Sequence, residues 1–126
     1  QKGKRAMERI RIFDAELKMM EILWKNEPMS TGELSKMCAE QLNWNKSTTY
    51  TVIRRLVDRG VLNKNRTILT SRLSKKMVQF TESEEHIEKM YGGSLKKFFE
   101  TYLKHADLRD EEIELLRDIL EEKQVC

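Results

Sequence analysis

The stretch from Asn45 to Gly60 holds the side chains with the clearest chemical potential, because hydroxyl, phenol and guanidinium groups recur there at helical spacing. A helical period of 3.6 residues divides the stretch into two faces. The apolar face comprises Thr49, Val52, Ile53, Leu56 and Val57. The polar face comprises Ser47, Thr48, Thr51, Arg54 and Arg55, with Tyr50 at its edge and Lys46 before it. Short hydroxyl side chains reach the edges of bases and arginine binds guanine or phosphate, so this face predicts contact with DNA.

The charge along this stretch also favours a polyanion, since no Asp or Glu lies between Asn45 and Val57. Asn45 or Ser47 can serve as the N-cap of the helix, and Gly60 can supply the positive φ that ends it. An ordinary surface helix is the competing interpretation, because Ser, Thr and Arg are common on solvated faces. The segment alone does not decide between the two.

Catalytic and metal-binding chemistry have little support in the rest of the chain. His86 and His105 have no metal-ligand spacing to each other or to a cysteine, and the sequence has no glycine-rich phosphate loop. The two cysteines, Cys38 and Cys126, form neither a disulfide framework nor a metal cluster by themselves. We therefore predict a protein that is not an enzyme and that needs no metal or cofactor.

The net charge of +3 conceals an asymmetry between the two parts of the 126-residue chain. Residues 1–75 carry 16 Lys and Arg against 8 Asp and Glu, which gives +8. Residues 76–126 carry 8 against 13, which gives −5. A basic front part suits a polyanion, whose phosphates attract it regardless of sequence, and an acidic back part is repelled by the same polyanion.

The elements before the polar helix predict a helix-turn-helix unit. Asp14 is a candidate N-cap for a first amphipathic helix, and Pro28 marks the break after it. Ser30 or Thr31 then begins a second helix through a capping box. A short turn at 43–45 leads into the third helix, which is the order of a unit whose last helix contacts DNA.

A β-hairpin is predicted at 61–70, because two short apolar pieces flank an asparagine-containing turn at 63–66. Lys64 and Arg66 make the tip of this hairpin basic, so that it can lie along the sugar–phosphate backbone. The helix, predicted at 47–58, and the hairpin together indicate a winged-helix DNA-binding domain over residues 12–73.

Residues 74–126 change to an acidic, amphipathic composition and predict three short helices. Ser74 and Ser94 are candidate N-caps, and Gly92 and Gly93 end the first of these helices. The apolar faces either fold back on the first domain or pair with a second copy, and the charge asymmetry favours the second copy. The predicted dimerisation residues are Tyr91, Leu95, Phe98, Phe99, Tyr102, Leu103, Ile113, Leu116, Ile119 and Leu120.

The predicted fold class is therefore mainly α, with a winged helix-turn-helix domain followed by a C-terminal three-helix dimerisation region. Residues 1–11 are strongly basic and poor in apolar side chains, and we predict that they form a flexible N-terminal arm. No apolar run approaches the roughly 20 residues that span a bilayer, and no secretory signal is present. We expect a cytoplasmic protein without membrane insertion.

Three groups of residues closely resemble the penicillinase-repressor family. They are Asp14-Ala15-Glu16 with Met20 and Leu23-Trp24, then NKSTTYTVIRRLVDRGVL from Asn45 to Leu62, and finally Tyr91-Gly92-Gly93-Ser94-Leu95. The resemblance spans about residues 12–122, nearly the whole chain. The first and last groups together are far more specific than a generic winged-helix pattern.

This resemblance implies a homodimeric bacterial repressor of palindromic operators with TACA and TGTA half-sites. The operator-contacting positions of the family fall on Ser47, Thr48, Tyr50 and Thr51. In the β-lactam branch, a membrane sensor protease indirectly triggers a cut that releases the DNA, and the matching bond here is Thr101-Tyr102. The copper branch binds metal through four C-terminal cysteines, of which this chain has only Cys126.

The sequence is also compatible with two other functions. A winged helix can bind RNA or another protein, because this fold hosts many functions. A regulator gated by a small molecule would need a pocket among Phe98, Phe99 and Tyr102, although aromatic residues at this spacing more often form a core. A steep loss of affinity with salt and a large preference for a palindromic duplex would favour the repressor over the RNA- or protein-binding module.

Overall fold

The computed structural model describes residues 11–125. Within this range six helices accompany a three-stranded antiparallel sheet. The elements are α1 (Asp14–Asn26), β1 (Met29–Ser30), α2 (Thr31–Leu42), α3 (Lys46–Asp58), β2 (Leu62–Asn65), β3 (Ile68–Ser71), α4 (Lys75–Tyr91), α5 (Leu95–His105) and α6 (Asp110–Val125). The predicted fold class, a mainly α winged helix followed by further helices, is confirmed. The predicted flexible arm, residues 1–11, lies outside the described residues except for Arg11. Cys126 also lies outside them.

The chain forms two compact units, which divide between Glu85 and His86 inside α4. The sequence predicts a domain boundary between residues 73 and 74, just before this helix begins. The functional limits of the two domains therefore stay a prediction.

The core of the first unit is formed by the apolar faces of α1, α2 and α3 together with the sheet. Its fully buried side chains include Met19, Met20, Leu23, Leu34, Cys38, Thr49, Leu56, Val61 and Leu69. In α3 the buried residues are Thr49, Val52, Ile53 and Leu56, as the helical period predicts. Burial of each aliphatic side chain contributes roughly 1.5 to 3 kcal/mol, so this face determines which side of α3 remains in solvent.

The predicted starts of the first two helices differ in accuracy. The capping box of α2 is confirmed, because Glu33 N–H donates to Ser30 Oγ at 3.0 Å and Ser30 N–H donates to Glu33 Oε1 at 2.8 Å. The assignment of Asp14 as the N-cap of α1 is wrong, since Asp14 is the first helical residue and Phe13 occupies the cap position. Phe13 N–H donates to the Glu16 carboxylate at 2.9 Å, so a side chain within the first turn satisfies the cap backbone.

The wing is a hairpin with a tighter turn than the sequence suggested. Asn65 pairs with Ile68, so only Arg66 and Thr67 connect the two strands. The turn predicted at 63–66 is therefore wrong, because the ladder of hydrogen bonds continues along β2 through Asn65. Arg66 takes the left-handed backbone conformation, with φ of +60°. The strand β1 pairs with β3 and completes a sheet of order β1-β3-β2.

The second unit contains the last six residues of α4 together with α5 and α6. Gly92 and Gly93 have φ of +59° and +81°, and end α4 as predicted. Lys97 N–H donates to Ser94 Oγ at 3.1 Å, which confirms Ser94 as the N-cap of α5. Unlike the helices of the first unit, α5 and α6 contain no buried residue.

Candidate nucleic-acid interface

The start of α3 is set by two asparagines in the turn that precedes it. Asn43 has φ of +57° and ends α2 in the left-handed conformation, which asparagine tolerates better than most residues. Asn45 caps α3, because its Oδ1 accepts the N–H of Thr48 at 2.7 Å. Of the two predicted N-caps, Asn45 is therefore the correct one, and Ser47 is free on the helix surface.

The structure brings the predicted contact residues of α3 together on one accessible face. Lys46, Ser47, Thr48, Arg54 and Arg55 are exposed, and Tyr50 and Thr51 are half-buried. The Lys46 ammonium lies 5.8 Å from the centre of the Tyr50 ring, a cation–π contact at the edge of the face. No acidic residue lies in the first turn. The positive end of the helix dipole is therefore available to a phosphate.

The two basic residues of the wing are exposed at different places along the hairpin. Arg66 occupies the tip, whereas Lys64 lies within β2 opposite Leu69. The tip is thus formed by Arg66 and Thr67, and Lys64 extends the positive charge along the strand. Both cations can reach a sugar–phosphate backbone that passes along this edge.

The end of α3 is held to α1 by a bidentate ion pair. Arg59 Nη1 donates to Glu16 Oε2 at 2.9 Å and Arg59 Nη2 to Glu16 Oε1 at 2.5 Å. Arg59 also donates to the carbonyl of Arg11, and its guanidinium lies 5.5 Å from the centre of the Phe13 ring. The hydrogen bonds from Arg59 are the main cause that lowers the pKa of Glu16, and burial opposes them. Glu16 is therefore a buried carboxylate whose charged form is stabilised mainly by Arg59.

The C-terminal part of α1 holds the base of the wing in a similar way. Ser71 N–H donates to Glu27 Oε1 at 2.7 Å, and the Ser71 hydroxyl donates to Glu27 Oε2 at 2.8 Å. The indole N–H of Trp24 donates to the carbonyl of Leu73 at 3.0 Å. Helix α1 thus contacts both of the elements that carry the predicted DNA-binding residues.

The chain is similar to known proteins of one family. The chain matches the model of the family described as penicillinase repressor over residues 12–122. The chain belongs to the penicillinase-repressor family. Members of this family are transcriptional regulators and not enzymes.

Three relatives illustrate the similarity. The penicillinase repressor of Bacillus licheniformis is 30% identical over 115 residues, which cover 88% of this chain and 90% of that protein. The methicillin resistance regulatory protein MecI of Staphylococcus aureus strain N315 is 28% identical over 116 residues, covering 89% of this chain and 94% of the relative. The penicillinase repressor of Staphylococcus aureus is 25% identical over 119 residues, which cover 91% of this chain and 94% of that protein.

The segments through which the chain resembles the penicillinase-repressor family have identifiable structural tasks. The Asp-Ala-Glu piece supplies Glu16, and the segment from Asn45 onward supplies its partner Arg59. The Leu-Trp piece supplies Leu23 to the core and Trp24 to the base of the wing. The Gly-Gly pair ends α4. The first and last segments therefore serve the fold, whereas the segment from Asn45 to Leu62 also carries the predicted contact residues of α3.

The Glu16–Arg59 pair and the Glu27–Ser71 contact were not predicted from the sequence. A signal for the first was present, because Glu16 shares the apolar face of α1 with Met19, Met20 and Leu23. An acidic side chain on a buried face needs a cationic partner, although its spacing along the chain does not identify which cation that is. No comparable signal marks Glu27, which lies at the C-cap of α1.

No three His, Cys, Asp or Glu side chains among residues 11–125 come together as a metal site. In the same range, every helix is too short or too polar to cross a membrane.

Cys38 is fully buried. Burial raises the pKa of the Cys38 thiol, and the hydrogen bond with Thr49, which lowers that pKa, is the smaller effect. Cys38 is therefore a small uncharged core residue.

Proposed function

We propose that this transcriptional repressor is a homodimer that binds a palindromic operator through α3 and the β2–β3 wing. The observation that carries the proposal is the accessible, acid-free face at the start of α3, in a chain that belongs to this family. Hydroxyl groups on that face suit base edges, and the flanking cations suit phosphates. The predicted contact set is Lys46, Ser47, Thr48, Tyr50, Thr51, Arg54, Arg55, Lys64 and Arg66.

The second unit supports the homodimer because most of the large apolar side chains of α5 and α6 are exposed. Leu95, Phe99 and Tyr102 of α5 are 55%, 45% and 53% exposed. The same is true of α6, whose predicted dimerisation residues Ile113, Leu116, Ile119 and Leu120 are 36–66% exposed. Tyr91 and Phe98 are half-buried, with ring centres 5.4 Å apart in an edge-to-face contact, and Leu103 is 41% exposed. Exposed apolar faces of this extent are typical of an association surface, and a second copy presents an identical one.

The direct test is a gel-shift titration of the purified protein on a TACA/TGTA palindrome and on a scrambled duplex of equal length. We expect one dimer per palindrome and a large preference over the scrambled duplex. Both affinities should fall between about 50 mM and about 200 mM salt because phosphate contacts release counterions. Equal, salt-sensitive binding to the two duplexes would contradict the proposed operator.

Two substitutions on α3 should have different effects on binding. Arg54→Ala should weaken binding to every duplex and reduce the slope of log affinity against log salt by about one unit, because one phosphate contact is lost. Thr51→Ala should instead reduce discrimination between operator and scrambled DNA by roughly 1 to 3 kcal/mol, because a base contact is lost. The same titration measures both effects.

Arg109→Ala is the matched control for Arg54→Ala, since it removes an exposed arginine from the second unit. It should leave the salt slope and the discrimination unchanged. If Thr51→Ala retained the full discrimination, α3 would not be the element that contacts bases.

The release step that we propose is a cut at the Thr101-Tyr102 bond. This bond lies within α5 and both of its residues are exposed. The carbonyl of Thr101 contacts His105 Nδ1 at 2.9 Å, and the carbonyl of Tyr102 accepts the N–H of Ala106 at 2.8 Å. The last turns of α5 must therefore open before a protease can bind the bond in extended form.

The cleavage step can be tested in cells that carry a cognate membrane sensor protease and are treated with a β-lactam. We expect a fragment that ends at Thr101, identified by mass spectrometry, together with loss of operator binding. A chain that stays intact while the operator is released would contradict cleavage and leave the DNA-binding proposal standing.

A further inference from the structure

A cavity of about 540 Å³ lies in the first unit, between α1 and the first turns of α4. Its size is within the range of about 300 to 1,000 Å³ that is typical of sites for small organic ligands. Ile12, Leu17, Trp24 and Val78 give it an apolar lining. None of the residues proposed to contact DNA lines this cavity, which we name the α1–α4 groove.

The charged residues around the α1–α4 groove are mainly acidic, although this part of the chain is basic. Among the described residues, Asp14, Glu21 and Glu82 line it together with one cation, Lys75. Lys75 is already engaged, since its ammonium lies 3.0 Å from Glu21 Oε2. Within the part of the chain that the structure describes, no cation pairs with Asp14 or Glu82. The groove therefore has two carboxylates available for a positively charged ligand.

Trp24 gives the groove a fixed aromatic surface. Its indole N–H is held by the carbonyl of Leu73 at 3.0 Å, while part of the ring remains accessible and lines the cavity. A tryptophan ring attracts a cation over its face more strongly than the other aromatic side chains do. A ring held by a hydrogen bond loses little side-chain freedom when a ligand binds.

We propose that the α1–α4 groove binds an organic cation with an apolar body, held by Trp24 and the Asp14 and Glu82 carboxylates. The apolar lining excludes a simple hydrated metal ion as the best ligand, and the acidic rim opposes a phosphate or carboxylate ligand. This site is independent of the proposed operator contacts, because it shares no residue with them. Failure of either proposal leaves the other standing.

The test uses the full chain with the substitution Trp44→Phe. Since the sequence has two tryptophans, the fluorescence of this variant comes from Trp24. Berberine, a flat aromatic cation, serves as the probe in the absence of DNA. We expect saturable quenching of Trp24 fluorescence with one berberine per chain. An aromatic anion of similar size, anilinonaphthalene sulfonate, should not compete for this site, because its sulfonate is repelled by the rim.

A charge variant and a matched control separate this groove from other surfaces. Asp14→Asn with Glu82→Gln should weaken berberine binding by about tenfold or more, since two charge contacts are lost. Asp118→Asn with Glu121→Gln makes the same change of net charge on exposed residues of α6 and should change the affinity less than about twofold. Circular dichroism of each variant verifies that the fold is retained.

Three results would overturn the proposal. The first is the absence of saturable quenching of Trp24. The second is an equal affinity of the two charge variants, which would show that Asp14 and Glu82 do not hold the cation. The third is loss of berberine binding as the protein concentration rises, which would identify a second copy of the chain as the occupant of the groove.

Discussion

Replacing Arg59 with methionine is expected to lower the free energy of unfolding by about 2 to 3 kcal/mol. The substitution keeps an apolar stem of similar length and leaves the Glu16 carboxylate, whose side chain is only 6% exposed, without its partner. Breaking a fully buried pair costs about 3 to 5 kcal/mol, and the 31% exposure of the Arg59 side chain reduces that value. Urea unfolding followed by far-ultraviolet circular dichroism measures the change.

The pH dependence of stability gives the same pair a second test. Because the pKa of Glu16 is lowered below its ordinary value of 4.5 in the folded protein, the pair stabilises the fold fully above that value. Its contribution is lost as the pH falls below 4.5 and passes through the lowered pKa. Glu16 in the Arg59→Met variant lacks this charge-assisted contact, so the stabilities of the two proteins should converge as the pH falls.

Arg109→Met is the control for this prediction, because Arg109 pairs with Glu111 and Glu112 on the surface of α6. We expect its effect to stay within about 0.5 kcal/mol, as is usual for exposed positions. An equal loss in both variants would show that Glu16 does not depend on Arg59. A loss that is the same at every pH would show that the substitution acts through packing and not through charge.

Replacing Leu116 with glutamate is expected to convert the proposed dimer into a monomer and to weaken operator binding by about 100-fold or more. A charge on the apolar face of α6 must be buried without a partner if the two copies associate. A monomer binds the two half-sites as separate events and loses the high effective concentration that a linked pair provides. Sedimentation velocity measures the assembly, and the gel shift measures the affinity.

Leu115→Glu provides a closely matched control on the neighbouring residue. Leu115 is 61% exposed and lies about 100° around the helix from Leu116, outside the predicted dimerisation face. The variant should remain dimeric and retain the affinity of the original chain. A monomeric Leu115→Glu together with a dimeric Leu116→Glu would show that the side of α6 that carries Leu115 forms the interface. Two dimeric variants would exclude α6 from the contact.

The sequence predicted most of the elements whose signal was local, although the N-cap of α1 was assigned to Asp14 and not to Phe13. The buried face of α3, the capping box at Ser30 and the glycines that end α4 were all identified correctly. Each depends on residues within a few positions of one another, which a helical period or a cap motif records directly. The strand β1 was missed because a strand of two residues has no measurable period.

The candidate site shows the same division between local and long-range information. The polar face of α3 could be listed from spacing alone, and its accessibility follows from the burial of the opposite face. The exact turn of the wing could not be predicted from spacing, because the pairing of Asn65 with Ile68 decides where the chain reverses. A register shift of one or two residues leaves the composition of a hairpin unchanged while it moves a different residue to the tip.

The sequence by itself therefore determined the order of the helices and the wing hairpin, the polar face of α3 and the resemblance to a repressor family. The tertiary structure decided what positions that face, through the contacts Glu16–Arg59, Glu27–Ser71 and Trp24–Leu73. These partners lie 43, 44 and 49 residues apart in the chain. Local periodicity carries no information at such separations, because the partners become neighbours only after the apolar faces of α1, α2 and α3 have packed. The α1–α4 groove likewise exists only where two helices from distant parts of the chain lie side by side.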